Sequence, residues 1–165
     1  MSSGGVKFNC GEIQLEGEVI VPSAPPPYAA VVVCHPHPLY GGDMDNHVVV
    51  GICDSLVSHG ISAMRFNFRG VGLSHGRHGR GVEERGDVRA AIDLICSRQD
   101  IDVGRIGLAG YSFGAGIAMN VALNDVRARA VALVSPILSD RDFVELKAWN
   151  RPSLIVWGSE DSYAA

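Results

Sequence analysis

Apolar runs of strand length alternate along this chain with longer segments of helical period, and no other feature constrains the fold as tightly. The alternation is the pattern of a mostly parallel sheet covered on both faces by helices. Ala29 to Cys34, Ile61 to Phe68, Ile106 to Ala109, Ala130 to Val134 and Ser153 to Trp157 read as buried strands. Between the first two lies a helix that Asn46 can cap and Gly60 ends, with Val48, Val49, Ile52, Cys53, Leu56 and Val57 on its apolar face. A second helix carries Val88, Ala91, Ile92, Ile95 and Cys96 on one face, and a third continues through Ile117 to Leu123. Ahead of these elements, Val6 to Asn9 and Glu12 to Val21 read as an antiparallel pair, followed by a proline-rich surface turn at Ser23 to Pro27.

The 165 residues suit one domain, spanning 1–165, with a sizeable core. A formal net charge of -4 with no basic stripe argues against nucleic acid as a partner. Apolar stretches such as Tyr28 to Cys34 are far too short to span a bilayer, so no membrane partner is expected. The start, MSSGGVKFNCGEI, lacks the basic and apolar regions of a secretory signal. Cys10, Cys34, Cys53 and Cys96 are scattered, three of them inside apolar segments, and read as reduced core residues of a cytoplasmic protein.

Gly110-Tyr111-Ser112-Phe113-Gly114 fits G-x-S-x-G, and it stands between an apolar strand and an Ala/Gly-rich helix, the setting that pattern requires. A serine at such an elbow sits in a strained turn that needs small neighbours, which Gly110, Gly114 and Gly116 supply. The helix that begins there aims its N-terminal N–H groups where an oxyanion would develop. Ser112 is therefore the candidate nucleophile. No G-K-[ST] follows, which argues against a phosphate cradle. His35 and His37, with Asp43 and Asp45 near by, match no metal-binding spacing that carries a clear mechanism.

With these residues in view, the sequence resembles the α/β-hydrolase superfamily, and within it the small bacterial hydrolases with an HPHPLYGG-type loop, relatives of the dienelactone-hydrolase and acyl-peptidase groups. The resemblance runs from Ala29 to Asp161 and rests on CHPHPLYGGDMDN, NFRGVGLSHG, GYSFGAG and LIVWGSED. It implies an α/β fold with a mostly parallel, doubly wound sheet, cut short before the last strand and helix. It also implies an oxyanion hole whose second donor is the residue after the nucleophile, Phe113. The first donor comes from the loop after His35. Pro36 and Pro38 have no N–H, which leaves His37 between them, with Leu39 and Tyr40 as alternatives if the loop curls further. In NFRGVGLSHG the resemblance gives Arg69 and Gly70 the turn and places Ser74 to Gly76 at the pocket border, while His75 and His78 receive no chemistry.

The family's chain order is serine, acid, histidine. By resemblance Asp161 is the acid, with Glu160 as its neighbouring alternative. All six histidines, His35, His37, His47, His59, His75 and His78, precede Ser112. The expectation is a fragment or a different working arrangement, with His35 or His37 a weak substitute base.

The leading expectation is a serine hydrolase of esterase type, acting on a small ester-like substrate through an acyl-enzyme, with no cofactor and no metal. The alternative is a non-catalytic binding module on the same fold. Acyl preference would depend on a lid between Pro136 and Asn150. A sheet edge left exposed at Ser153 to Trp157 would favour a homodimer.

Overall fold

The computed structural model describes residues 1–137, 144 and 146–160. Seven strands form a single sheet: β1 (Ser2–Cys10), β2 (Ile13–Val21), β3 (Tyr28–Cys34), β4 (Ser62–Phe66), β5 (Ile101–Tyr111), β6 (Ala128–Val134) and β7 (Ser153–Val156). Their order across the sheet is β1-β2-β4-β3-β5-β6-β7. β1 pairs antiparallel with β2 and β2 antiparallel with β4, whereas β4, β3, β5, β6 and β7 run parallel.

Helices α1 (His47–Ser58), α2 (Glu84–Cys96) and α3 (Phe113–Asn124) cover the two faces. Alternation along the strands divides the core between the faces. On one side Val32, Met64, Phe66 and Leu108 pack with Val88, Ile92 and Ile95 of α2 and Ala118 and Val121 of α3. On the other, Val33, Ala63 and Ala109 pack with Val49, Cys53 and Val57 of α1. The Asn46 side chain accepts the Val48 N–H at 3.0 Å, so α1 starts where its cap predicts.

Two strands run longer than the sequence pattern indicates. β1 begins at Ser2, in a Ser/Gly stretch with no strand signal of its own, because Ser2 to Gly5 pair in register with Glu18 to Val21. β5 begins at Ile101 rather than Ile106. Its polar first half is held by the Asp102 carboxylate, which accepts the Gly104 amide at 2.9 Å and the Arg105 guanidinium at 2.7 Å.

Candidate active site

The parallel strands all end on the same edge of the sheet, and that edge collects the loops after β3, β4 and β5. Cys34 is in register with Gly110, and Val33 with Arg65, so the HPHP loop and the glycine-rich loop both run beside the β5–α3 turn.

Ser112 forms that turn with φ 53 and ψ −116, a positive φ on a residue that carries a Cβ. Such a conformation costs on the order of 1–3 kcal/mol and persists only where its surroundings impose it. The Ser112 N–H donates to Val134 O of β6 at 2.9 Å, and its carbonyl accepts the Ala115 and Gly116 amides at 3.1 and 3.3 Å. The two flanking glycines are required by close approach. A Cβ on Gly110 would meet the Gly114 carbonyl at 2.5 Å, and one on Gly114 would overlap the carbonyl oxygens of Cys34 and His35.

His35 is fully buried and used in holding two loops together. Its Nε2 accepts the Phe68 N–H at 3.0 Å, and its Nδ1 donates to Pro36 O at 2.7 Å, the tautomer these two partners require. Burial pushes its pKa down to about 4, against the opposing pull of the Pro36 carbonyl. With both nitrogens engaged, His35 is unavailable as a base.

His37 opens a one-turn 3₁₀ segment, Pro38–Tyr40, and its Nδ1 accepts the Leu39 N–H at 3.2 Å. The His37 carbonyl accepts the Tyr40 N–H at 3.1 Å. Both alternative donors, Leu39 and Tyr40, are thus spent inside the loop, while among the described residues the His37 and Phe113 amides donate to nothing. The His37 ring packs against those of Phe113 at 4.8 Å and His78 at 5.0 Å. Burial first, and then the neighbouring His78, push the His37 imidazole below its ordinary pKa.

The glycine-rich loop contributes residues that no sequence motif marks. Glu84 at the start of α2 is fully buried, and its carboxylate accepts the Gly79 amide at 2.7 Å and the Gly81 amide at 2.8 Å. His78 Nδ1 lies 3.0 Å from Glu84 Oε1, near enough for an ion pair yet misaligned for a hydrogen bond. Arg69 does shape the turn: its guanidinium grips the buried Asp87 carboxylate, with Nη2 2.6 Å from Oδ1. Ser74 is a buried anchor. Its hydroxyl donates to Asn67 O at 2.7 Å and accepts the Glu16 N–H at 3.0 Å.

Among the described residues, two cavities adjoin the elbow. One of about 510 Å³ is lined by His37, Leu39, Tyr40, His78, Arg80 and Phe113. The other, of about 310 Å³, shares His37, Arg80 and Phe113 with it and adds Arg85, Gly116, Asn120 and Ile137 among others. Ser112 immediately precedes the shared Phe113 but lines neither cavity, and Ser74 to Gly76 are absent from both linings. Asp161 lies outside the described residues, as do 138–143 and 145 of the segment expected to hold a lid. Glu160 is described and is exposed.

Residues 25–160 match the model of the Hydrolase_4 family, described as serine aminopeptidase, S33. The chain belongs to this family of α/β serine hydrolases. An uncharacterized protein of Rickettsia prowazekii is 35% identical to it over 160 residues, covering 95% of this chain and 66% of that protein. An alpha-beta serine hydrolase homologue from Coxiella burnetii superposes with a TM-score of 0.88 at 34% identity, covering 99% of this chain and 77% of the other. An α/β serine hydrolase without lid from Xanthomonas campestris gives a TM-score of 0.77 at 25% identity, over 94% of this chain and 83% of that one. For this S33-type chain, no group of three His, Cys, Asp or Glu side chains among the described residues could hold a metal ion. Among those residues, too, no helix is long and apolar enough to cross a membrane.

Proposed function

We propose that this S33-family chain is a serine hydrolase of esterase type. The observation that carries the reading is the backbone of Ser112, held at φ 53 between β5 and α3. Ser112 Oγ attacks the carbonyl carbon of an ester and passes its proton to a base. The oxyanion is received by the unpaired amides of His37 and Phe113. The bond to the alcohol then breaks, the alcohol leaves with a proton, and water hydrolyses the acyl-serine. Asp161 is the acid that orients the base, on the strength of its family motif, and His35 is removed from the candidates for that base by its two hydrogen bonds. Each oxyanion donor is worth about 10²–10³ in kcat.

A second reading, a binding module without turnover, is favoured by one observation: among the described residues no histidine hydrogen-bonds to Ser112. A fluorophosphonate probe decides between the two, because its phosphorus bonds to an activated serine oxygen as fluoride leaves. Labelling of the parent that is absent in Ser112→Ala supports the hydrolase; no labelling of the parent leaves the binding module.

A further inference from the structure

We propose that the two cavities beside Ser112 take an ester whose acyl or alcohol part carries an anionic group, a carboxylate or a phosphate, held by Arg80 and Arg85. The inference rests on reading these cavities as the substrate site of the proposed hydrolase.

The loop that presents Arg80 is built around a buried charge. Glu84 accepts the amides of Gly79 and Gly81, the residues on either side of Arg80, and so closes a tight turn over a fully buried carboxylate. Within that turn Arg80 is forced to φ 55, a left-handed conformation that an arginine adopts only under constraint. Gly81 beside it is also left-handed, at φ 84, so the turn needs two consecutive residues in that region and only one of them is a glycine. The non-glycine residue of that pair, Arg80, lines both cavities.

Arg85 is the second residue of α2 and lines the smaller cavity with Arg80. Its Nε donates to Gly81 O at 3.0 Å, which fixes the stem and leaves the Nη groups for a ligand. Arg65, Arg69, Arg98, Arg105 and Arg127 are each ion-paired with a carboxylate, whereas among the described residues no carboxylate pairs with Arg80 or Arg85. Glu84 is committed to its amides and to His78, and the Glu83 carboxylate lies against Gly79. Two guanidinium groups facing a concave, partly apolar space lined by Phe113, Ile117 and Ile137 suit a short acyl chain ending in an oxyanion.

The test is binding to Ser112→Ala, which separates recognition from turnover, followed by NMR titration with three probes: monomethyl glutarate, its neutral analogue dimethyl glutarate, and propyl phosphate. The expected result is that an anionic probe binds on the order of tenfold or more tightly than dimethyl glutarate. That preference should be lost in Arg80→Gln/Arg85→Gln and kept in Arg85→Lys. Stronger binding of monomethyl glutarate assigns a carboxylate substrate, and stronger binding of propyl phosphate a phosphorylated one. Equal affinity for neutral and anionic probes, no binding of any probe, or a preference that survives in the double glutamine variant overturns the proposal. Fluorophosphonate labelling of the parent is read separately, so failure of the hydrolase reading and failure of this inference give different results.

Discussion

The carbonyl oxygen of His35 occupies the space that a Cβ on Gly114 would need, so the loop after β3 lies directly on the first turn of α3. Backbone meets backbone there, and no side-chain rotation can relieve an added carbon. Gly114→Val is expected to destabilise the chain by about 3 kcal/mol or more. In a domain of this size that lowers the thermal midpoint by roughly 10 °C. A midpoint equal to that of the parent would contradict the elbow geometry.

Ser112→Ala should abolish hydrolysis of p-nitrophenyl acetate and butyrate while the chain still folds, because only a hydroxyl is removed. Ser112→Gly should be equally inactive yet more stable. It releases a strain of about 1–3 kcal/mol and gives back roughly 0.5–1 kcal/mol in chain entropy. A glycine variant that melts below the alanine variant would show that the positive φ is not a strained state.

Glu84→Gln replaces one of two acceptor oxygens with an N–H₂ group facing the Gly79 or Gly81 amide. The expected cost is about 1–3 kcal/mol in urea unfolding, the penalty for a buried donor left unpaired. An unchanged unfolding midpoint would mean that the carboxylate does not hold the Arg80 loop.

Stability should fall with acid through His35. Its pKa is about 4 when folded against an ordinary value of 6.5, so below pH 6.5 the unfolded chain binds the extra proton first. The stability held by the neutral ring is complete above about pH 6.5 and is lost as pH falls toward 4. The loss is on the order of 3 kcal/mol. Thermal midpoints between pH 7.5 and 4.5 measure it, and His35→Gln should flatten the slope over that interval.

β7 ends the sheet among the described residues, and its Leu154 and Val156 are 59% and 47% exposed. An apolar edge of this kind offers unpaired N–H and C=O groups to another chain. The 165-residue chain is expected to self-associate, and Leu154→Lys to shift it toward monomer. Light scattering after size exclusion reads both, and a monodisperse parent monomer would refute the pairing.

Much of the architecture was legible because its causes are local. Asn46 caps α1 through a bond two residues away, and the apolar faces of α1 and α2 follow from helical period alone. The elbow was readable from its G-x-S-x-G pattern, and the requirement at Gly110 is local, against the Gly114 carbonyl, whereas that at Gly114 comes from the Cys34 and His35 carbonyls far away in the chain. β1 was only partly readable, since Ser2 to Gly5 become a strand through pairing with β2 and not through any preference of their own.

The sequence by itself thus determined the strand–helix alternation, the G-x-S-x-G serine and the pair of prolines that leaves His37, Leu39 and Tyr40 as candidate amide donors in that loop. Only the structure showed that Leu39 and Tyr40 spend their amides on His37 itself. It alone brought His78, Arg80 and Glu84 to the elbow, from a loop more than 25 residues earlier in the chain. The physical reason is that parallel strands deliver their following loops to one edge of the sheet. Which loops meet there depends on strand order and register, which no short stretch of residues encodes.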